Sequence, residues 1–127
     1  MHTVRHDIEK NRLYVTLIGI LKIHEVKQIK EEMFSSIEKL SPNFDVVNDL
    51  SRLIHSDDNT VPIALEILKF EIEKKVSRIV RVVGQSKYGL IQFAKYTRKE
   101  EAQHIKYVPT MEEAELYLSN NLKENTQ

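Results

Sequence analysis

The feature that most restricts the fold of this chain is a change in hydrophobic period near residue 22. Before that point, VRHDI at 4–8 has a period of two, and LYVTLIGIL at 13–21 is rich in β-branched and aromatic residues. Both patterns predict strands. The polar residues 9–12 between them predict a tight turn, in which Asn11 best tolerates a positive φ. The chain is therefore expected to begin with an antiparallel hairpin.

Beyond the hairpin, amphipathic helices alternate with short apolar strands. The element order is β-β-α-β-α-β-α-β-α, which predicts a single α/β domain with a mixed sheet and helices packed on it. The strands after the hairpin are expected to be parallel and joined by right-handed crossovers. Val46 and Val47 are adjacent apolar residues, as in a strand covered on both faces. The predicted helices are 24–40, 60–76, 88–99 and the segment after Thr110, and the predicted strands are 44–50, 78–83 and 104–108.

Length, charge and cysteine content restrict the class of protein. The 127 residues suit one domain, predicted to span 1–122, with a disordered tail at 123–127. Without cysteine there is no disulfide and no thiolate nucleophile. The 19 basic and 19 acidic side chains cancel, which argues against a nucleic-acid partner. The polar N-terminus and the lack of an apolar run of about 20 residues predict a cytoplasmic protein without a transmembrane segment.

Residues that could support catalysis or bind a cofactor are sparse. The three glycines are too far apart for a phosphate-binding loop, so no nucleotide cofactor is expected. His55, Asp57 and Asp58 lack the spacing of metal ligands, and no metal is expected. No serine lies in a nucleophile elbow. The sequence therefore favours a protein that is not an enzyme, with a small enzyme as an alternative.

The stretch 44–68 contains the candidate functional site. It is predicted to form a strand, a polar loop and a helix opened by Pro62. Loops at the carboxyl ends of strands are where open α/β sheets usually bind ligands and partners. The alternative is that these residue types are present because they cap helices and form turns. The loop residues expected to contact a partner are Ser56, Asp57, Asp58, Asn59 and Thr60.

The helix predicted at 60–76 has an apolar face wider than packing on a sheet requires, because Ile63, Ile67 and Phe70 form a second stripe. In one interpretation these residues pack on a neighbouring helix or strand. In another, Ile63 and Ile67 contact a partner, or the helix forms a homodimer contact. In a third, an apolar small molecule lies between this helix and the one predicted at 88–99.

Three segments carry a family resemblance: DVVNDLS at 45–51, RIVRVVGQSKY at 78–88 and HIKYVPTMEEAELYL at 104–118. With the element order, they resemble the STAS fold of anti-sigma-factor antagonists, and within it the SpoIIAA-like branch of small bacterial proteins. The likeness covers almost the whole chain. It implies a non-enzymatic regulatory module that binds another protein. For some relatives of this fold it implies instead a carrier of a lipid or other apolar small molecule.

The chain departs from that family at the start of its second helix. Anti-sigma-factor antagonists carry D-S-[ST]-G-[LV] there, and a partner kinase phosphorylates the serine. Aligned without gaps from Asp45, Asp58 stands in place of that serine, which implies that the kinase switch is missing. Asp58 instead adds a permanent negative charge at a helix N-terminus, which the helix dipole favours by about 0.3–1 kcal/mol. Ser56 and Thr60 are the neighbouring hydroxyl groups that could be modified.

Overall fold

Within the described part of the chain, five strands of the computed structural model form one mixed sheet in the order β1-β2-β3-β4-β5, with helices on both faces. The structure describes residues 1–85 and 103–120. The α/β fold class is thereby confirmed. The strands are β1 (His2–Asp7), β2 (Arg12–Leu21), β3 (Asp45–Ser56), β4 (Arg78–Val82) and β5 (Ile105–Val108). The helices are α1 (Ile23–Glu38), α2 (Val61–Glu73) and α3 (Met111–Asn120), and a 3₁₀ turn at Asp58–Thr60 precedes α2.

The pairing of the strands confirms the predicted topology. β1 and β2 are antiparallel, whereas β2, β3, β4 and β5 run parallel to one another. Asn11 forms the turn between β1 and β2 with φ 55°, as the sequence predicts. Because the four parallel strands point the same way, their carboxyl ends lie along one edge of the sheet. β3 leads into α2 at that edge.

β3 is longer than the strand that the sequence predicts at 44–50. The end of β2, Ile18–Leu21, pairs with Arg52–Ser56, so most of the predicted polar loop is strand. Leu53 is buried while Ile54 is exposed, which is the alternation of a strand with one covered face. The prediction of a long loop is wrong because this pairing with β2 is a long-range contact. The connection to α2 is reduced to Asp57 and the 3₁₀ turn.

Two hydrophobic clusters lie on opposite faces of the sheet. α1 and α2 cover one face, where Met33 and Leu68 pack with Val46. α3 covers the other face, where Leu118 packs with Val47. Val46 is 0% exposed and Val47 is 1% exposed. Both faces of β3 are therefore covered, as the two adjacent valines predict.

The helices begin and end close to their predicted limits. The sequence predicts the first helix at 24–40, and α1 spans Ile23–Glu38. At the start of α3, the hydroxyl of Thr110 accepts a hydrogen bond from the backbone N–H of Glu113 at 3.1 Å, which is half of the capping box that the sequence Thr110-Met111-Glu112-Glu113 predicts. Four apolar residues at helical spacing, Val26, Ile29, Met33 and Ile37, form the buried face of α1.

Two predicted segments lie outside the described residues: the helix at 88–99 and the tail at 123–127. Within residues 1–85 and 103–120, no helix has the length and the apolar character needed to span a bilayer.

A row of charged side chains crosses the sheet at the amino ends of its parallel strands. Arg12 of β2, Asp45 of β3 and Arg78 of β4 are direct neighbours in the strand register. Asp45 is 1% exposed and accepts hydrogen bonds from Nε of Arg78 at 3.0 Å and from Nη2 at 2.9 Å. Nη1 of Arg12 donates to Glu115 of α3 at 2.7 Å. The row therefore ties three strands to α3 through paired charges.

Gly84 follows β4 in a left-handed backbone conformation, which is energetically unfavourable for residues other than glycine. Its φ is 55°, and a Cβ at this position would lie 2.9 Å from Cβ of Ser51. We expect Gly84→Ala to lower the free energy of unfolding by about 2–3 kcal/mol, because the positive φ and the steric overlap both disfavour alanine. Urea denaturation measures the loss.

Gly19 is the matched control for this substitution. Its φ is 79°, but a Cβ there would meet nothing within 4 Å. Gly19→Ala should therefore lower the free energy of unfolding by only about 1 kcal/mol, because alanine disfavours the positive φ but meets no steric overlap. Equal losses at the two positions would contradict the close approach of Gly84 to Ser51.

Candidate functional site

The predicted site residues lie where β3 ends and α2 begins. Ser56 is the last residue of β3, Asp57 connects it to the 3₁₀ turn, and the turn ends at Thr60. We call this segment, Ser56–Thr60, the β3–α2 junction. It lies at the carboxyl end of a parallel strand, where open α/β sheets place their binding loops.

The side chains of Ser56 and Thr60 lie on the buried side of the β3–α2 junction, where they contact each other. They are 6% and 5% exposed. Oγ1 of Thr60 donates to the carbonyl oxygen of Asp57 at 2.6 Å and lies 2.8 Å from Oγ of Ser56. Because the single hydroxyl proton of Thr60 is used in the first contact, Ser56 is the donor in the second. A kinase could reach either hydroxyl only after the junction opens, so modification of Ser56 or Thr60 stays a prediction.

We expect Thr60→Val to lower the free energy of unfolding by about 1–2 kcal/mol. Valine has the shape of threonine but neither donates to Asp57 nor accepts from Ser56, and buried polar groups that lose a partner destabilise the fold. Thermal denaturation at several urea concentrations measures the change. Thr3→Val, at an exposed position of β1, is the control and should change stability by less than about 0.5 kcal/mol. Equal effects of the two substitutions would contradict the structural role of the Thr60 hydroxyl.

The acidic side chains of the β3–α2 junction face outward. Asp58 and Asn59 are exposed, and the side chain of Asp57 is 38% exposed. Neither the 3₁₀ turn nor α2 has a side-chain hydrogen bond that caps it. Nε2 of His55 lies 3.9 Å from Oδ1 of Asp57, which is longer than a hydrogen bond. Helix capping therefore does not occupy the two carboxylates, which remain at the surface next to a helix N-terminus.

The wide apolar face of α2 packs mostly inside the protein. Ile63 is 8% exposed, and Ile67 packs against the cluster beneath α1 and α2. The ring of Phe70 stacks on Phe34 of α1 with centroids 3.8 Å apart. For these side chains the structure agrees with packing on a neighbouring helix. Direct contact of Ile63 or Ile67 with a partner stays a prediction, and Leu65 is exposed at 40%.

A cavity of about 110 Å³ lies between α1, α2 and the sheet, and we call it the α1–α2 cavity. Most of its wall is apolar, and among the described residues Glu71 and Arg81 are its ionisable side chains. Ser56 and Thr60 also line it, so it reaches the inner side of the β3–α2 junction. The sequence instead predicts a ligand between α2 and the helix at 88–99, and that helix lies outside the described residues. The apolar wall contains Val15, Leu17, Leu21, Val26, Ile29, Met33, Leu50, Val61, Ala64, Leu65, Ile67 and Leu68.

Glu71 is the residue of the α1–α2 cavity that sequence reasoning missed. It is 3% exposed, and within the described part of the chain its Oε2 has no hydrogen-bond partner. Burial raises the pKa of Glu71 to about 7, although the positive charge of Arg81 acts in the opposite direction. A signal was present, because Glu71 follows Leu68 by three residues and Ile67 by four and so lies on the apolar face of α2.

Ser51 and Asp49 of β3 form a hydroxyl–carboxylate pair. Oγ of Ser51 donates to Oδ1 of Asp49 at 2.6 Å, so its proton is directed to a carboxylate instead of a histidine. Over residues 1–85 and 103–120, no group of three or more His, Cys, Asp or Glu side chains could hold a metal ion.

Comparison with solved structures identifies the fold. No family model matches the chain, and no curated protein matches its sequence. The structure resembles that of the anti-sigma factor antagonist SpoIIAA in its unphosphorylated form with a TM-score of 0.67 at 14% identity, over 96% of this chain and 100% of that chain. It resembles an uncharacterised protein of the DUF3478 family from Shewanella loihica, with a SpoIIAA-like fold, with a TM-score of 0.68 at 14% identity, over 93% and 92% of the two chains.

A third similar structure is an anti-sigma factor antagonist from Mycobacterium paratuberculosis, with a TM-score of 0.61 at 13% identity over 94% of this chain and 95% of that chain. These three structures match nearly the full length of the chain. The protein therefore has the SpoIIAA-like, STAS-like fold that its sequence predicts.

Proposed function

We propose that this SpoIIAA-like chain is a non-enzymatic regulatory module of the bacterial cytoplasm that binds another protein through the β3–α2 junction. Two of the similar structures are anti-sigma factor antagonists, which supports a regulatory, protein-binding role for a chain with this fold. Asp57, Asp58 and Asn59 would contact the partner directly. Ser56, Thr60, Ile63 and Ile67 would hold the contact surface in place from inside.

The observation that carries this proposal is the exposure of two carboxylates that no helix cap requires. Adjacent carboxylates at the strand–helix junction form a local negative surface, and such a surface accelerates and orients the approach of a positively charged partner. The partner is accordingly a protein with basic side chains at its contact surface.

Asp58 gives the proposed module a permanent charge. SpoIIAA has been solved in an unphosphorylated and a phosphorylated form. In this chain Asp58 stands where the family resemblance expects the phosphorylated serine, and a carboxylate has less charge and fewer acceptor oxygens than a phosphate. The proposed partner binding would therefore not be switched by phosphorylation at this position.

Site-specific cross-linking tests the proposal. A photoreactive benzophenone amino acid replaces Asn59 in one variant and Glu112 in a control, because both positions are exposed but Glu112 lies on α3. Irradiation in a lysate of the source cells should give a cross-linked protein from position 59 only, and an excess of wild-type protein should suppress it. The same products from both positions, or none from position 59, would refute the junction as the binding surface.

A second candidate function is the carriage of an apolar small molecule, which the α1–α2 cavity favours because its wall is mostly apolar. Native mass spectrometry of freshly purified protein should then show a mass above that of the chain, which organic extraction removes. Repeated absence of any added mass would count against a carrier. A homodimer contact through α2 stays a prediction, and it would not use Ile63 or Phe70, because both pack within the protein.

A further inference from the structure

The α1–α2 cavity combines an apolar wall with one buried acid. An engineered apolar cavity of roughly 150 Å³ accepts benzene, so a cavity of about 110 Å³ suits a molecule of about five or six non-hydrogen atoms. Leu65 lines the cavity and is 40% exposed, so the cavity wall reaches the protein surface at this residue. Glu71 contributes a carboxyl group to the same wall.

The carboxyl group of Glu71 requires an explanation. Oε2 is inaccessible to solvent and lacks a hydrogen-bond partner within the described residues. A buried polar atom in this state destabilises a protein, and such atoms in folded proteins usually have a partner. A molecule in the cavity that donates a hydrogen bond would supply that partner.

The charge of Arg81 restricts the kind of donor. Arg81 lines the same cavity, and its positive charge already acts on Glu71. A cationic ligand would place a second positive charge beside one carboxyl group in an apolar site, which is costly. A neutral hydroxyl group donates one hydrogen bond without adding charge, and it also accepts one when Glu71 is protonated.

We propose that the α1–α2 cavity binds a small neutral molecule with an apolar body and a single hydroxyl group, which donates a hydrogen bond to Oε2 of Glu71. This inference rests on the second candidate function and adds the chemistry of the ligand. Leu68, Ile67 and Met33 would contact the apolar body, since all three line the cavity.

Titration of cyclopentanol and cyclopentane into the wild-type protein, followed by the methyl NMR signals of Leu68 and Ile67, tests the inference. Cyclopentanol should bind about tenfold or more tightly than cyclopentane, because only the alcohol supplies the missing hydrogen bond. In Glu71→Leu the preference should vanish or reverse. Glu66→Gln, an exposed position on the same helix, should keep the wild-type preference.

Other results of the titration would overturn the proposed ligand chemistry. Equal binding of the two probes by the wild-type protein would leave the carrier function standing and overturn the hydroxyl assignment. Tighter binding of cyclopentylamine, which is cationic at neutral pH, would overturn the requirement for a neutral ligand. If neither probe shifts the cavity signals, the cavity holds water only, and the carrier function and the inference fail together. If Glu71→Leu does not fold, Glu71→Met takes its place, because methionine is flexible and lacks a strong acceptor, and it should likewise abolish the preference for the alcohol.

Discussion

Replacing Asp45 by asparagine is expected to lower the free energy of unfolding by about 3–5 kcal/mol, the cost of removing one member of a buried ion pair. Asparagine keeps the shape of the side chain but removes its charge. The guanidinium of Arg78, only 14% exposed in its side chain, would then face a neutral amide. Arg12 is the neighbour of Asp45 on the other strand, so the substitution also removes the negative charge between two arginines.

Urea denaturation at neutral pH measures this loss, and an exposed ion pair provides the control. Glu38 and Lys74 lie 3.3 Å apart with side chains that are 59% and 42% exposed. Solvent screens this pair, so Glu38→Gln should change the free energy of unfolding by less than about 1 kcal/mol. A loss for Asp45→Asn no larger than that for Glu38→Gln would show that the charged row does not hold the amino ends of the strands.

Glu71→Gln is expected to stabilise the protein above neutral pH, by an amount on the order of 3 kcal/mol at pH 8. The ordinary pKa of the Glu71 carboxyl is 4.5, and burial in the fold raises it to about 7. The folded state therefore binds the proton more tightly than the unfolded state. The resulting stabilisation is fully present below pH 4.5 and is lost as the pH rises through about 7. Glutamine is neutral throughout and lacks this loss.

The measurement is the difference in free energy of unfolding between Glu71→Gln and wild type from pH 4.5 to 8. This difference should be near zero around pH 4.5 and should increase as the pH rises towards 8. Glu66→Gln is the control on the same helix, and because its side chain is 58% exposed, its difference from wild type should stay nearly constant. A flat difference for Glu71→Gln would mean that the carboxyl group titrates normally and that the α1–α2 cavity is hydrated.

The parts of the fold that the sequence predicts correctly are those set by local patterns. The hairpin follows from period-two segments around Asn11, and the parallel order follows from the alternation of strands and helices. The adjacent valines Val46 and Val47 predict a strand covered on both faces, because a half-exposed strand would alternate. These patterns depend only on neighbouring residues in the chain.

The parts that the sequence does not predict depend on long-range contacts. The segment 51–56 has the composition of a loop, and only its pairing with the end of β2 makes it a strand. The burial of Ser56 goes with the same pairing, since Ser56 pairs with Leu21 and lines the α1–α2 cavity. The sequence does not predict the burial of Glu71, because an acid on an amphipathic helix normally lies on the solvent face.

Whether the β3–α2 junction binds a partner is measured by the amount of partner that the Asp57→Asn/Asp58→Asn double variant captures, relative to wild type. Glu112→Gln/Glu113→Gln is the matched control, because it removes two exposed adjacent carboxylates from the first turn of another helix. We predict that capture by the junction variant falls about tenfold or more while its Tm changes by less than about 2 °C, and that the control captures as wild type does. Unchanged capture by the junction variant, or a loss no greater than its loss of folded protein, would contradict partner binding at Asp57 and Asp58.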